Sequence, residues 1–151
     1  MQPLYIASDH AGHKLKNRLI RYLENELKLS VEDMGAHEYD ELDDVEDYVI
    51  PTAEKTVSQK GLAIVICGSG NGACMSANKV TGIRAALGYN IEAAEMARKH
   101  NDANTLCLAG RVLSDDHAMA IVKKFLESEF LADPKYARRN DKISTYENSQ
   151  K

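Results

Sequence analysis

The central stretch of the chain joins an apolar run to a glycine-rich segment. Residues 62–67 are apolar and rich in β-branched side chains, which is typical of a strand buried on both faces of a parallel sheet. Three glycines follow within five residues, at positions 68, 70 and 72, and helix-forming residues resume at Ala73. A strand, a glycine loop and a helix in this order aim several backbone N–H groups at one point, with the helix dipole behind them. The stretch therefore predicts an anion-binding site with the Cys67 thiol beside it.

Other interpretations of this stretch stay open on the residues alone. Gly68, Gly70 and Ala73 satisfy the dinucleotide-binding pattern G-x-G-x-x-[GA], but that pattern normally follows the first strand of its unit, whereas this one follows a mid-chain strand. A tight turn that binds no ligand is another alternative. For Cys67, a buried structural role is the commoner fate of a free thiol.

The bulk composition limits the class of protein. A chain of 151 residues, 44% hydrophobic and 28% charged, is typical of a single soluble globular domain. Its net charge of −4 argues against a nucleic-acid-binding protein, and no apolar run approaches the ~20 residues of a membrane span. The N-terminus enters a strand pattern directly, so no signal peptide is predicted. Three cysteines at no metal-binding spacing predict reduced thiols in a cytoplasmic protein.

Strand and helix patterns alternate along the whole chain. Predicted strands cover 4–7, 31–34, 62–66, 83–87 and 105–109. Predicted helices cover about 13–27, 50–59, 73–79, 91–99 after a cap at Asn90, the stretch after a cap at Ser114 or Asp115, and a last segment after Pro134. The acidic segment 37–47 is interpreted as a solvated loop. Alternation without a linker predicts one α/β domain over residues 1–151, a three-layer α/β/α arrangement with a Rossmann-like, five-stranded parallel sheet.

Ligands of such sheets bind outside the carboxyl ends of the strands, and three of these ends carry polar residues. They hold Ser8-Asp9-His10, Cys67-Gly68-Ser69 and Gly110-Arg111. His100-Asn101-Asp102 precedes the fifth strand instead of following it, so we expect this group to serve a neighbouring site across a subunit interface. Taken singly, Asp9 has the alternative role of a helix cap, and the histidines and arginines that of ordinary surface residues.

The residue types limit the chemistry to two routes. Cations and amide donors favour a phosphate or carboxylate substrate. A thiolate beside an anion hole suits attack on a carbonyl, which gives acyl transfer, or removal of a proton next to a carbonyl while the amides stabilise the resulting enediolate. Composition does not choose between these routes.

Motifs in the same order along nearly the whole chain carry a family resemblance. They are Ser8-Asp9-His10-Ala11-Gly12, Cys67-Gly68-Ser69-Gly70-Asn71-Gly72, Ser76-Ala77-Asn78-Lys79, Gly82-Ile83-Arg84-Ala85-Ala86, Arg98-Lys99-His100-Asn101-Asp102-Ala103-Asn104, Gly110-Arg111 and Arg138-Arg139-Asn140-Asp141-Lys142-Ile143. With these motifs the chain resembles the ribose-5-phosphate isomerase B family, which also holds allose-6-phosphate and galactose-6-phosphate isomerases. The resemblance implies interconversion of ribose 5-phosphate and ribulose 5-phosphate through a cis-enediolate, with no metal and no cofactor.

The resemblance also implies which residues carry the reaction. Cys67 would be the base that moves a proton between C1 and C2, and the N–H groups of residues 68–72 would form the enediolate hole. Ser69 would assist proton movement between the two oxygens. His100 would open the furanose ring as an acid, with Asn101 beside it.

Substrate contacts and assembly follow from the same resemblance. Asp9 and His10 would contact the sugar, while Arg111, Lys135 and Arg139 would bind substrate, with Arg139 at the phosphate. Family sites lie between two subunits, so the resemblance implies a homo-oligomer, a dimer or a tetramer, with the basic tail 134–151 packing at a subunit interface. Its partner is a small-molecule sugar phosphate, with no nucleic acid and no membrane.

Some positions depart from the family pattern. Ala73 stands where some members carry a glutamate base, so this chain resembles the cysteine type. Asp133-Pro134-Lys135-Tyr136 replaces Gly-Gly-Arg-His, and a lysine keeps the charge but loses bidentate phosphate recognition. Tyr48 corresponds loosely to a family tyrosine near the sugar, within Asp47-Tyr48-Val49 in place of Asp-Tyr-Pro. Because both regions border the sugar phosphate, a six-carbon substrate such as allose 6-phosphate is an alternative, and a non-catalytic sugar-phosphate-binding protein is another.

Overall fold

Five parallel strands form one sheet, as the alternating pattern predicts. Their order across the sheet is β2-β1-β3-β5-β4. The computed structural model of the chain describes residues 1–151. The strands are β1 Leu4–Ser8, β2 Glu32–Asp33, β3 Leu62–Cys67, β4 Ala85–Leu87 and β5 Thr105–Ala109. The helices are α1 His10–Arg21, which continues into a π-helical turn at Tyr22–Glu26, α2 Glu46–Ser58, α3 Asn71–Asn78, α4 Ile91–Asn101, α5 Asp115–Glu127 and α6 Pro134–Ser149.

Two helical layers cover the sheet, and alternate residues of each strand face opposite layers. One core contains the larger aliphatic residues, including Ile6, Ile64 and Leu106, under α1, α4 and α5. The other contains smaller residues, including Val65, Cys67 and Cys107, under α2 and α3. The Cys67 side chain therefore faces the α2–α3 layer at the carboxyl end of β3.

Helix caps shift several boundaries from their predicted places. Asp9 caps α1, because its carboxylate accepts the Gly12 N–H at 3.2 Å, so this helix begins three residues before the predicted His13. The predicted cap at Asn90 is confirmed by its bond from the Ala93 N–H at 2.7 Å. Acidic residues in the first turn allow α2 to begin at Glu46, inside the segment that we expected to be a loop.

The helix α4 extends past its predicted end at Lys99 and includes His100 and Asn101. Asp102 ends it in the left-handed conformation, with φ of 46°. The Asp102 carboxylate accepts hydrogen bonds from Arg84 at 2.8 Å and from Arg98 at 3.2 Å. The pair of arginines therefore holds the last turn of α4 in place.

The last helix, α6, packs against α4 and presents most of its length to solvent. Its one buried residue is Asn140, which donates a hydrogen bond to the His100 carbonyl at 3.1 Å. Near its other end, the Glu147 carboxylate accepts the Gly82 N–H at 3.1 Å. None of the helices combines the length and apolar character that crossing a membrane requires.

Candidate active site

Asp9 and His10 follow β1 directly and meet Asp43, which comes from the acidic segment between β2 and α2. One Asp43 carboxylate oxygen accepts the His10 backbone N–H at 3.0 Å and lies 2.7 Å from Nδ1 of the His10 ring. The Asp43 side chain is only 6% exposed. The interpretation of the 37–47 segment as a solvated loop is therefore wrong at Asp43. Because the carboxylate can only accept, it holds the Nδ1–H tautomer of His10 and leaves Nε2 as the free nitrogen.

The electrostatics of this group follow from burial and hydrogen bonding. Burial works to raise the pKa of Asp43, but the bonds from the backbone and ring of His10, together with the Tyr48 hydroxyl, outweigh it and lower that pKa. Burial raises the pKa of Asp9, against the opposing effect of the Gly12 N–H. The ligand atoms of Asp9, His10 and Asp43 lie within 4.8 Å of one another and could hold a metal ion. The direct His10–Asp43 bond already pairs two of these three groups.

The loop between β3 and α3 carries backbone N–H groups at the N-terminus of α3. Gly70 precedes α3 with φ of 80°, a conformation that glycine adopts without strain. The Ser69 hydroxyl accepts the Asn71 N–H at 3.2 Å. No hydrogen bond of the structure uses the N–H groups of Ser69, Gly70, Gly72 or Ala73. The loop thus has unpaired amide donors at the positive end of a helix dipole, which is the arrangement that binds anions.

Cys67 and Arg111 lie on either side of Gly68. Cys67 is buried, and its carbonyl accepts the Gly110 N–H at 2.8 Å. The Arg111 N–H bonds to the Gly68 carbonyl at 3.0 Å, and its guanidinium would lie 3.2 Å from a Cβ added at Gly68. A thiol, a set of amide donors and a cation therefore meet where β3 and β5 end.

The other two cysteines lie in the same layer, between the sheet and α3. Cys107 is buried on β5, and burial raises the pKa of its thiol well above the usual range. Cys74 is half-buried on α3, and contact with Cys107 lowers the pKa of its thiol. A thiol with a strongly raised pKa stays protonated near neutral pH and has no thiolate to accept a proton, and Cys107 is fully buried in the core of this layer.

A second group of candidate residues forms where α4 ends and α6 begins. The His100 imidazole stacks on the Tyr136 ring, with the ring centroids 4.1 Å apart and the planes 16° from parallel. The Lys135 ammonium lies 4.9 Å from the Tyr136 centroid, and the Arg139 guanidinium lies 6.0 Å from it. Asn101 is exposed in the same last turn of α4.

These two groups lie at opposite edges of the sheet within one chain. The helix α4 precedes β5, so His100 lies before Thr105 at the amino end of that strand, whereas Cys67 is in register with Ala109 at its carboxyl end. Thr105 and Ala109 are four residues apart along β5, so the two ends of this strand are separated by about 13 Å. The chain thus brings Asp9, His10, Cys67, the 68–72 loop and Arg111 into one group, called the thiol group below. It brings His100, Asn101, Lys135 and Arg139 into another, called the imidazole group.

The sequence did not predict the contact of Asp43 with His10 or that of Tyr136 with His100. Asp43 is one of seven acidic residues in the 37–47 segment, and nothing in that run distinguishes it from its solvated neighbours. Tyr136 was noted only as a departure, while its stacking on His100 depends on the packing of α6 against α4. The only available indication was its place one residue after Lys135.

Comparisons with known proteins identify the family of the chain. The family description "Ribose/Galactose Isomerase" matches residues 4–143. A ribose-5-phosphate isomerase B of Mycolicibacterium paratuberculosis is 40% identical over 145 residues, which are 95% of this chain and 91% of that protein. A crystal structure of ribose-5-phosphate isomerase B from Mycoplasma genitalium, with bound ribulose-5-phosphate, superimposes with a TM-score of 0.91 at 40% identity, covering 97% of this chain and 96% of that one.

A second solved structure is as similar in fold. Ribose-5-phosphate isomerase B from Clostridium thermocellum superimposes with a TM-score of 0.94 at 39% identity and covers 99% of both chains. Sequence and structure thus agree over almost the full length. The chain belongs to the ribose/galactose isomerase family.

Proposed function

We propose that this chain interconverts ribose 5-phosphate and ribulose 5-phosphate. The observation that carries the proposal is the Cys67 thiol beside the glycine loop, whose unpaired N–H groups are free to stabilise a developing oxyanion. The relative from Mycoplasma genitalium binds ribulose-5-phosphate in its crystal structure, which supports a sugar phosphate as the ligand.

The reaction moves one proton between neighbouring carbons. The Cys67 thiolate removes the C2 proton of the open-chain aldose, and the electrons form an enediolate whose oxygens accept bonds from the loop N–H groups. Ser69 transfers a proton between O2 and O1, and Cys67 returns its proton to C1 to give the ketose. Arg111 adds positive charge beside the loop, which favours the negatively charged enediolate over the uncharged aldehyde group.

His10, oriented by Asp43, contacts the sugar from the thiol group. The Asp43 carboxylate fixes the ring of His10 through Nδ1, so Nε2 accepts a hydrogen bond from a sugar hydroxyl. Asp9 shares this edge of the sheet but also caps α1. The cap and the sugar contact are compatible, because a carboxylate accepts several hydrogen bonds.

The reaction also needs a ring-opening acid and a phosphate site, and the imidazole group supplies both. His100 is the acid, with Asn101 beside it, and Lys135 and Arg139 bind the phosphate. Because about 13 Å of strand separates this group from Cys67 within one chain, a complete site takes its imidazole group from a second copy. The functional form is therefore a homo-oligomer.

The surface beside the imidazole group supports association with a second copy. The strand β4 is an edge strand, and a groove of about 400 Å³ runs along it between α4 and α6. Two exposed apolar side chains, Tyr89 and Ile143, line this groove. An unpaired edge strand with apolar neighbours is typical of an interface between chains.

Ketose formation from ribose 5-phosphate in EDTA tests the proposal. We expect Cys67→Ala to lower kcat by about 10³-fold, the usual contribution of a general base. Cys74→Ala is the matched control, because it removes the half-buried thiol of α3 and leaves the loop intact. Failure of the unmodified protein to make ketose would refute the activity. Full activity of Cys67→Ala would place the base elsewhere.

Allose 6-phosphate is the second substrate to be assayed, because Lys135 and Tyr136 border the phosphate and depart from the family pattern. Turnover of the hexose phosphate alone would show that these changes alter specificity. We expect the pentose phosphate to be preferred.

Mixing two inactive variants tests the shared site. Cys67→Ala and His100→Ala are each expected to be inactive as pure proteins. After dissociation and reassociation of an equal mixture, about a quarter of the active sites should carry both native residues and recover activity. No recovery in a mixture shown to form mixed oligomers would refute a site shared between copies.

A further inference from the structure

The His100 imidazole is oriented without any hydrogen bond to its ring. Neither ring nitrogen takes part in a hydrogen bond of the structure, so both remain available to a substrate. Instead, the ring lies at 4.1 Å from that of Tyr136, and its own backbone carbonyl accepts a bond from Asn140. Two residues of α6 thus hold His100, one by its ring and one by its main chain.

The last turn of α4 is already fixed independently of α6. Arg84 bonds to the carbonyls of Asn101 and Asp102, both at 3.0 Å, and Arg98 bonds to the Ala103 carbonyl at 2.6 Å. These contacts fix the backbone but leave rotation of the imidazole about its side-chain bonds free. Stacking on Tyr136 is therefore the contact that sets the plane of the ring.

The same tyrosine lies next to both candidate phosphate-binding cations. Lys135 Nζ is 4.9 Å from the ring centroid of Tyr136, and Arg139 is 6.0 Å from it. Cations are attracted to an aromatic ring at these distances. One neutral ring thus connects the imidazole with the two positive charges and adds no charge of its own.

We propose that Tyr136 is a positioning residue for ring opening, which holds the His100 imidazole in the plane that directs its N–H at the furanose oxygen. This role rests on the proposed function. In the step concerned, His100 acts in its protonated form. One N–H proton goes to O4, the C1–O4 bond breaks, and the C1 hydroxyl releases its proton to water as the aldehyde forms, after which the ring regains a proton from water. The step comes before any proton transfer at Cys67, so the two can be measured separately.

Two reactions separate ring opening from the later chemistry. Conversion of ribose 5-phosphate requires ring opening, because that sugar is a furanose. Deuterium uptake from D₂O into C1 of ribulose 5-phosphate requires only proton exchange through Cys67, because the ketose is acyclic. A positioning residue for His100 should affect the first reaction and spare the second.

Three variants provide the test. We expect Tyr136→Leu to lower kcat for ribose 5-phosphate by about tenfold, the upper range for the loss of an aromatic pair, with deuterium uptake within about twofold of normal. Tyr136→Phe keeps the ring and should keep both rates within about twofold. Tyr146→Leu is the matched control, since it makes the same change on an exposed tyrosine of α6, and both rates should be unchanged.

Proton NMR of the ligand-free protein reports the stack itself. The ring C–H resonances of His100 should be displaced upfield by Tyr136, should stay displaced in Tyr136→Phe, and should return to ordinary positions in Tyr136→Leu. Ordinary positions in the unmodified protein would overturn the proposal, whatever the activity.

Kinetic outcomes distinguish the two levels of inference. Equal loss of both rates in Tyr136→Leu, or an equally large loss in Tyr136→Phe, would overturn the positioning role and indicate direct substrate binding. Normal kinetics in Tyr136→Leu would overturn it as well. An unmodified protein that turns over no sugar phosphate would overturn the proposed function, and the positioning role with it, even where NMR shows the stack.

Discussion

The ion pair between Lys16 on α1 and Asp33 on β2 is unequal in the exposure of its two members. The Lys16 side chain on α1 is 0% exposed, and its ammonium lies 2.7 Å from both carboxylate oxygens of Asp33 at the end of β2. Asp33 is 30% exposed and also accepts the Gly35 N–H at 2.9 Å. Water can therefore reach the carboxylate but not the ammonium.

This inequality predicts different costs for removing each charge. Asp33→Asn leaves a buried ammonium without a counter-charge, a change that costs about 3–5 kcal/mol of unfolding free energy. We expect about 3 kcal/mol, at the low end of this range, because water enters beside residue 33. Lys16→Met replaces the ammonium by an apolar group of similar length, and Asp33 keeps water and Gly35, so we expect a loss below about 1.5 kcal/mol.

Urea unfolding of the two variants at neutral pH measures the difference. Glu32→Gln is the control, because Glu32 pairs with Lys55 at the surface, with the side chains 52% and 38% exposed. That change should alter stability by less than about 1 kcal/mol. Equal losses in Asp33→Asn and Lys16→Met, or a loss below about 1 kcal/mol in Asp33→Asn, would contradict the argument from burial.

Two further changes test the thiol group. Asp43→Asn weakens the bond that orients His10, so kcat should fall by about tenfold or more. Since its hydrogen bonds lower the folded-state pKa of Asp43, the stability that this carboxylate contributes is present above its unfolded pKa of about 3.9 and is lost as pH falls through the folded value. Thermal unfolding should therefore show a larger deficit for Asp43→Asn at pH 7 than in strong acid, and an equal deficit would contradict this origin. Gly70→Ala places a Cβ 2.6 Å from Leu87 at a φ of 80°, and should cost about 2–4 kcal/mol in unfolding free energy. Gly72→Ala, whose Cβ would meet only Val45 at 3.6 Å, should cause no such loss of stability, and equal costs at both glycines would refute the steric reasoning.

Local patterns predicted most of the sheet and the thiol loop. The unbroken apolar run before Gly68 and the alternation of strand and helix are properties of neighbouring residues, and they located β3, the loop and α3 within two residues. Asn90 was predicted as a cap from its side chain, and its side chain accepts the expected N–H group. Ser114 and Asp115 were the two candidates for the cap of α5, and Ser114 accepts the His117 N–H.

Features that depend on distant contacts were not predictable in this way. Asp43 is buried because His10, 33 residues earlier, supplies two hydrogen bonds to its carboxylate. The stacking of Tyr136 on His100 likewise depends on where α6 packs, which no local spacing determines. The extension of α4 through Asn101 depends on the bonds from Arg84 and Arg98 to Asp102, and Arg84 lies in the loop before β4.

The placement of Cys67 and His100 at opposite edges of one sheet has a consequence for inheritance. In the homo-oligomer with shared sites that we propose, a cell can make a sound and a damaged version of this chain. A defect confined to the α4–α6 junction then leaves the damaged copy's own thiol intact and disables the site on its neighbour. Copies damaged at different edges restore one another in part, whereas copies damaged at the same edge do not. Alleles of such a gene should therefore fall into two complementing groups, divided by the edge of the sheet at which each mutation lies.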